Sequence, residues 1–99
     1  MAKPFTELVR ELRDSYPPPH PVTVGRPKEL EDNGYGSCRL ISGRKRTSIR
    51  IEVSRAHPVE AQLDTLIHEW AHAHTFDEDE EHGPLWGVWY AKLYSLAFG

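Results

Sequence analysis

Residues 58–76 read PVEAQLDTLIHEWAHAHTF, a segment with a helical repeat of large apolar side chains. Pro58 suits the first turn of a helix, and neither glycine nor a further proline interrupts the segment after it. The apolar residues recur at i, i+3, i+4 and i+7, and they are Leu63, Leu66, Ile67 and Trp70. We therefore predict an amphipathic helix that packs one face against a core.

The same segment carries His68 and His72 four residues apart, with Glu69 between them. At about 100° per residue, both histidines lie about 140–180° around the helix from Leu63, opposite the apolar stripe. Two imidazoles one turn apart can bind one Zn²⁺, with the intervening glutamate beside it as a general base. The pattern therefore predicts a zinc site that faces a cleft or solvent, with His68 and His72 as ligands and Glu69 as the catalytic residue.

A catalytic zinc site of this kind needs a third protein ligand, because its fourth position is kept for water. His74 lies on the apolar side of the helix, so we predict a core or helix-end residue there. His82 is the best candidate, since it follows the polar loop 77–81 and precedes Gly83-Pro84, which can open a second helix. Such a helix, running to about residue 98, would bring His82 over the first two histidines. Its predicted inner face comprises Trp86, Trp89, Tyr90, Leu93 and Ala97.

The segments HEWAHAHTF, from residue 68, and EEHGPLWGVWY, from residue 80, resemble the zinc-binding core of the SprT-like metallopeptidases. This group includes the Spartan DNA–protein crosslink proteases, and its pattern is HExxH, a short loop and then HGxxF/W. RIEVSRAHPVEAQLDTLI, at residues 50–67, is similar to the strand, connection and helix that precede the motif in the family. The resemblance covers about residues 48–94, and it implies zinc ligation by His68, His72 and His82 with Glu69 as the base. The compact chain, without a zinc ribbon, resembles small phage-encoded members of the group.

The N-terminal half is expected to support this site. A helix is predicted before the prolines at 17–19 and 21, because the apolar residues there follow a helical spacing. These apolar residues are Phe5, Leu8, Val9, Leu12 and Tyr16. Residues 22–24 form a candidate strand, and 35–41 and 48–53 a hairpin with its turn at 42–46. We therefore predict a minimal zincin-like α+β domain over residues 1–99, with an antiparallel sheet of two or three strands. Its edge strand would bind extended peptide.

Composition bounds the setting of the protein. With one cysteine among 99 residues there is no intramolecular disulfide, which favours a reducing, intracellular compartment. No apolar run reaches the ~18 residues of a membrane span, and the N-terminus lacks the apolar region of a secretory signal. We expect a cytoplasmic monomer without membrane contact, in the host cytoplasm if the chain is phage-encoded. Cys38 is interpreted as a small apolar filler, with ligation to a structural zinc as the alternative.

Two charged segments suggest contacts with partners. Arg44, Lys45 and Arg46 could contact DNA phosphates, or they form a solvated hairpin tip. The net charge of −3 and the pI near 6.0 are not those of a dedicated nucleic-acid binder, so any association with DNA should be weak. The acidic run 77–81 is interpreted as a solvated loop from which one carboxylate could orient a ligand imidazole. Asp64, one turn before His68, is a second candidate for that role.

The predicted reaction is zinc-dependent hydrolysis of peptide bonds in a protein or peptide substrate. Tyr90, His57 and Arg50 are candidates for the donor that stabilises the oxyanion. Two alternatives remain open: a non-catalytic module with a structural zinc, and a phage or nucleoid protein associated with DNA. Glu69 argues against the first alternative, because a structural zinc site needs no general base.

Overall fold

The computed structural model describes residues 3–78 and 80–99, and these form three α-helices and three strands. In chain order they are α1 (Phe5–Ser15), β1 (Val22–Gly25), β2 (Gly36–Ser42), β3 (Thr47–Val53), α2 (Val59–Ala73) and α3 (Pro84–Phe98). A 3₁₀ turn, Glu31–Asn33, lies between β1 and β2. The α+β class and the order of elements are those that the sequence predicts. Asp79, in the acidic run, lies outside the described residues, as do Met1 and Ala2.

The sheet is mixed, which corrects the prediction of an antiparallel sheet. β3 lies between the other two strands, antiparallel to β2 and parallel to β1. The connection from β1 to β2 crosses the end of β3, where Ser54 donates its N–H to the Tyr35 carbonyl. Arg55 donates to the Pro27 carbonyl at the same place. β1 ends and β2 begins at the same end of the sheet, so these two strands run in opposite directions. Since β3 is antiparallel to β2, it runs parallel to β1.

The helices cover one face of the sheet and enclose the core with it. Alternate residues of β3 are buried, as their spacing predicts, whereas Arg50 and Glu52 point to the other face. The predicted stripe of α2 is confirmed, since all four of its members are completely buried. The buried apolar set includes Leu8 and Leu12 of α1, Ile49, Ile51 and Val53 of β3, Leu63, Leu66, Ile67 and Trp70 of α2, and Leu93 and Ala97 of α3.

The end of α1 is tied to α2 through the carbonyl of Tyr16. The indole N–H of Trp70 donates to this oxygen over 2.9 Å, and His74 Nε2 does so over the same distance. The His74 ring also stacks on Trp89, with 3.8 Å between ring centroids. His74 is the C-terminal cap residue of α2, and burial lowers its pKa. It is therefore the helix-end residue that the sequence predicts.

Gly36 allows the start of β2 to approach α2 closely. A Cβ at this position would lie 2.5 Å from Thr65 Cγ2 and 2.8 Å from the Glu52 carbonyl oxygen, both closer than packed atoms can come. The same Cβ would lie 3.5 Å from Glu69 Cγ. A side chain at residue 36 would therefore push the edge strand away from the helix turn that carries Glu69.

Two glycine-to-alanine substitutions should change stability in opposite directions. Gly36→Ala overpacks the contact between β2 and α2, so we expect the free energy of unfolding to fall by about 1–3 kcal/mol. Gly87 lies inside α3 with no atom within 4 Å of an added Cβ, so Gly87→Ala should raise it by about 0.5–1 kcal/mol. Urea unfolding of both variants measures the difference. A Gly36→Ala protein as stable as the wild type would contradict the close approach.

Candidate metal centre

The face of α2 opposite the core opens into a cleft. His68 and His72 are half-buried on this face, and the neighbouring Glu69 is buried. All three line a cavity of about 650 Å³, which the start of β2 and the loop before α3 complete. The 3.6-residue helical repeat thus places the core residues and these polar residues on opposite sides of one helix.

The loop before α3 brings a third imidazole to this face. His82 Nε2 lies 3.1 Å from Nε2 of His68 and 3.1 Å from Nε2 of His72. Among the described residues, these three form a group whose ligand atoms all lie within 4.8 Å of one another. Tetrahedral zinc with Zn–N bonds of about 2.0–2.1 Å separates its nitrogen ligands by about 3.3–3.4 Å. The three nitrogens therefore fit a single zinc ion, and their role as ligands remains the prediction made from the sequence.

Glu78 determines where the third imidazole lies, because its carboxylate caps α3. Its two oxygens accept the backbone N–H groups of Leu85, over 2.8 Å, and of Trp86, over 3.0 Å. The cap residue itself, Gly83, has no side chain to do this, and an added Cβ there would lie 2.7 Å from the carboxyl carbon of Glu78. One carboxylate of the acidic run is thus a helix cap, where the sequence suggested a solvated loop.

The backbone of His82 adopts a left-handed conformation, with φ of 60°. Residues other than glycine pay about 1–2 kcal/mol for this conformation. The capped helix that follows and the cluster of imidazoles hold His82 there. Strain of this kind is common where a side chain must reach a functional position.

Trp86 packs against all three imidazoles. Its ring centroid lies 4.9 Å from that of His68, 5.6 Å from that of His72 and 4.6 Å from that of His82. Its indole N–H donates to the backbone carbonyl of His68 over 3.3 Å. The indole therefore limits the rotation of the three side chains and covers one side of the cluster.

The surroundings favour the neutral form of the two helix imidazoles. Burial lowers the pKa of both His68 and His72. The neighbouring imidazoles lower it further, His82 in the case of His68, and both other histidines in the case of His72. Only a neutral imidazole offers a lone pair to a metal, so protons compete less with metal here than at an exposed histidine.

Burial raises the pKa of Glu69 and of Cys38, which also line the cleft. It raises the pKa of Glu69 to about 7, with a further contribution from the charge of Glu81. It also raises the pKa of the Cys38 thiol to about 12, with the charge of Glu69 as the second cause. Cys38 lines the cavity but does not belong to the three-residue ligand group. Its thiol is protonated at neutral pH, which supports its interpretation as a filler.

Asp64 is a candidate in the sequence to orient a ligand imidazole, but its hydrogen-bond partner is Tyr90. Its Oδ1 accepts the hydroxyl hydrogen bond of Tyr90. Burial and this hydrogen bond raise the pKa of Tyr90. The Tyr90 ring stacks on Trp86, with 5.0 Å between centroids, so Tyr90 lies one ring away from the three histidines.

The two other candidate oxyanion donors interact elsewhere. The ring of His57 stacks on Tyr35, with 3.8 Å between centroids, and Arg50 lies 3.6 Å from Glu52 on the outer face of the sheet. Neither His57 nor Arg50 lines the cavity with the three histidines. The basic residues at 44–46 are exposed in the turn between β2 and β3, and they do not line this cavity either.

Sequence reasoning missed two glycines that allow close packing and one glutamate that caps a helix. Gly36 and Gly83 are needed for the close approach of neighbouring atoms, and Glu78 is needed as a cap. One signal was present, since a glycine followed by a proline opens α3 without any side chain that could cap it. An acidic residue shortly before that pair is the natural substitute.

The chain matches the model of the SprT-like family over residues 5–98, nearly its whole length, and it therefore belongs to this family. No curated protein and no solved structure shows a significant match. The family is associated with zinc and with metallopeptidase-like proteins, and the three clustered histidines agree with a metal-binding domain. In the part of the chain that is described, no helix is long and apolar enough to cross a membrane.

Metal content should distinguish a ligand histidine from a structural one. We expect about one zinc per purified chain, and a sharp loss of zinc in His82→Ala, because two imidazoles on one helix leave the coordination incomplete. His74→Ala is the matched control, since its ring contacts Trp89 and the Tyr16 carbonyl instead. Plasma emission spectrometry after dialysis measures the content. Equal loss in both variants would contradict the assignment of His82.

Proposed function

We propose that the protein is a zinc-dependent peptidase that hydrolyses peptide bonds in protein or peptide substrates. The observation that supports this most strongly is the position of Glu69, which lines the same cavity as the three imidazoles and is adjacent in sequence to one of them. A structural zinc site would close its coordination with a fourth protein ligand and would need no carboxylate of raised pKa.

In this proposal His68, His72 and His82 hold the ion through their Nε2 atoms. Zinc held by these three residues would supply a water molecule of lowered pKa as the nucleophile. Glu69 accepts the proton of the water that attacks the scissile carbonyl carbon, and it delivers this proton to the leaving amine nitrogen as the C–N bond breaks. Glu69 lines the same cavity as the three imidazoles, which suits a group that takes up and returns a proton there.

The edge strand β2 supplies a surface for the substrate. It pairs with β3 on one side, and its first residues, Gly36, Ser37 and Cys38, line the cavity beside Glu69. An extended peptide can add to such an edge through main-chain hydrogen bonds. We propose that the substrate chain lies along β2, which brings a peptide carbonyl next to the metal centre whatever its side chains are.

Glu69→Gln tests the catalytic role directly. The amide cannot accept the proton of the attacking water, so we expect cleavage of an unfolded protein such as casein to fall at least 100-fold, the lower end of what a general base contributes. Zinc content and fold should be unchanged, as circular dichroism and metal analysis would show.

Glu7→Gln on α1 is the matched control and should cleave at the wild-type rate. Unchanged hydrolysis in Glu69→Gln would exclude Glu69 as the base. A wild-type protein that carries zinc and cuts no protein or peptide would favour the alternative, a non-catalytic zinc-binding module.

We also propose a weak association with nucleic acid through Arg44, Lys45 and Arg46. All three are exposed at one hairpin turn, whereas Arg39 and Arg50 on the adjacent strands both lie near Glu52. In the described part of the chain, no ion pair engages the three residues of the turn. Their charges are therefore available to phosphates.

Replacing the three basic residues of the turn by alanine should flatten the dependence of log affinity on log salt. Each lost phosphate contact should reduce the slope by about 0.9 on duplex DNA or about 0.7 on a single strand. Wild-type affinity at physiological salt should be micromolar or poorer. Fluorescence anisotropy with a labelled oligonucleotide measures both quantities. A control with the same change of charge replaces Arg10, Arg13 and Lys28, and an equal effect in that control would exclude a specific role of the turn.

A further inference from the structure

α3 presents an aromatic ring at every fourth residue, from the metal centre to its C-terminus. Ring centroids lie 4.6 Å apart for His82 and Trp86, and 5.0 Å apart for Trp86 and Tyr90. They lie 6.0 Å apart for Tyr90 and Tyr94, and 4.9 Å apart for Tyr94 and Phe98. Residues four apart share a helix face, so the rings form a continuous strip. Tyr94 is 48 % exposed, which leaves part of the strip open to solvent.

α2 forms the opposite wall of a groove along this strip. Glu60, Ala61 and Asp64 line a cavity of about 490 Å³ together with the last three rings of the strip. This volume lies within the range of roughly 300–1,000 Å³ that is usual for ligand pockets. The short side chain of Ala61 leaves the space open, and the carboxylates of Glu60 and Asp64 are exposed at its sides.

The groove and the metal centre are linked by a third cavity that shares lining residues with both. A cavity of about 390 Å³ shares Ala61 and Asp64 with the groove, and it shares His68 and Glu69 with the cavity at the metal centre. At about 1.5 Å per helical residue, Asp64 lies about 6 Å and Glu60 about 12 Å from His68 along α2. An extended peptide advances about 3.3 Å per residue, so about two to four of its residues span these distances.

The charge of this groove has one sign. Among the described residues that line the three connected cavities there is no lysine or arginine, while the acidic ones are Glu60, Asp64, Glu69, Glu78, Glu80 and Glu81. Of the two carboxylate oxygens of Asp64, Oδ1 accepts a hydrogen bond from Tyr90, and Oδ2 has no hydrogen-bond partner among the described residues. Oδ2 can therefore accept a hydrogen bond from a ligand. Exposed aromatic faces next to carboxylates suit a cation, because the ring quadrupole adds to the attraction of the charge.

We propose that the groove between α2 and α3 binds a lysine or arginine side chain of the substrate, two to four residues from the scissile bond on one side. The proposal rests on the proposed peptidase function and adds a substrate class to it, namely extended peptides with a basic residue at that distance. Asp64 and Glu60 neutralise the bound charge, and the ring of Tyr94 packs along the aliphatic part of the side chain.

Two peptides that differ in one residue test the proposal. The bond that the zinc-loaded protein cuts in a casein-derived peptide is first identified by mass spectrometry. Lysine or uncharged norleucine is then placed at each of the second to fourth residues on both sides of that bond. At one of these positions the lysine peptide should have a kcat/KM about two- to fivefold higher, the size expected for an exposed ion pair.

Asp64→Asn should abolish most of this preference, since asparagine keeps an acceptor for the Tyr90 hydroxyl and removes only the charge. Tyr94→Leu, made on its own, should also bring the preference closer to one, by loss of the cation–π contact. Asp14→Asn, on α1, has the same change of charge and should leave the preference intact. The preference of the wild type should shrink as salt is raised.

Binding gives a readout that needs no turnover. The zinc-loaded Glu69→Gln protein should bind the lysine peptide more tightly than the norleucine peptide by the same two- to fivefold in fluorescence anisotropy, and Asp64→Asn should remove the difference. Equal binding and equal cleavage of the two peptides would overturn the groove assignment and leave the peptidase proposal standing. Selective binding without any cleavage by the wild type would overturn the peptidase proposal and support the groove as a binding site.

Discussion

The third imidazole of the cluster depends on one charge-assisted contact, between the carboxylate of Glu78 and two backbone N–H groups at the start of α3. The contact closes the loop that carries His82, and Gly83 leaves room for it. The other two histidines lie on α2, which the core already fixes. The geometry of the cluster therefore depends on how the entry to α3 is held against α2. A metal ion bound by all three imidazoles would tie the same two segments together, so metal binding and the packing of this helix pair should stabilise each other.

The helices were predictable from the sequence because each buries one face, and a buried face imposes its period on the chain. The stripe from Leu63 to Trp70 illustrates this, since it is completely buried and the two histidines opposite it are not. The direction of β1 was not predictable in this way. The alternation of apolar and polar residues along a strand shows which face is buried, but not which strand lies beside it. In this protein residues 26–35 cross the end of β3 instead of forming a hairpin between β1 and β2.

The candidate site shows the same division between local and tertiary information. His68, Glu69 and His72 follow from the spacing on one helix, and His82 from its place before a helix start. The partner of Asp64 did not follow, because Tyr90 is far away in sequence and meets it only when α2 and α3 pack together. The aromatic strip was visible as a spacing of four residues. The sequence did not separate it from the core, because Trp86 and Tyr90 fall within the predicted inner face that also contains the buried Leu93 and Ala97.

The donor set has a consequence for metal selection. The ligand atoms that converge are three imidazole nitrogens, and the sulfur of Cys38 does not belong to this group. A set of imidazoles without thiolate binds most late first-row divalent ions, with affinity rising from manganese to copper and falling again at zinc. The cluster would therefore bind Cu²⁺ more tightly than Zn²⁺, and Co²⁺ or Ni²⁺ well enough to compete. Which ion the protein carries is then decided by the free concentrations that the cell maintains while the chain folds.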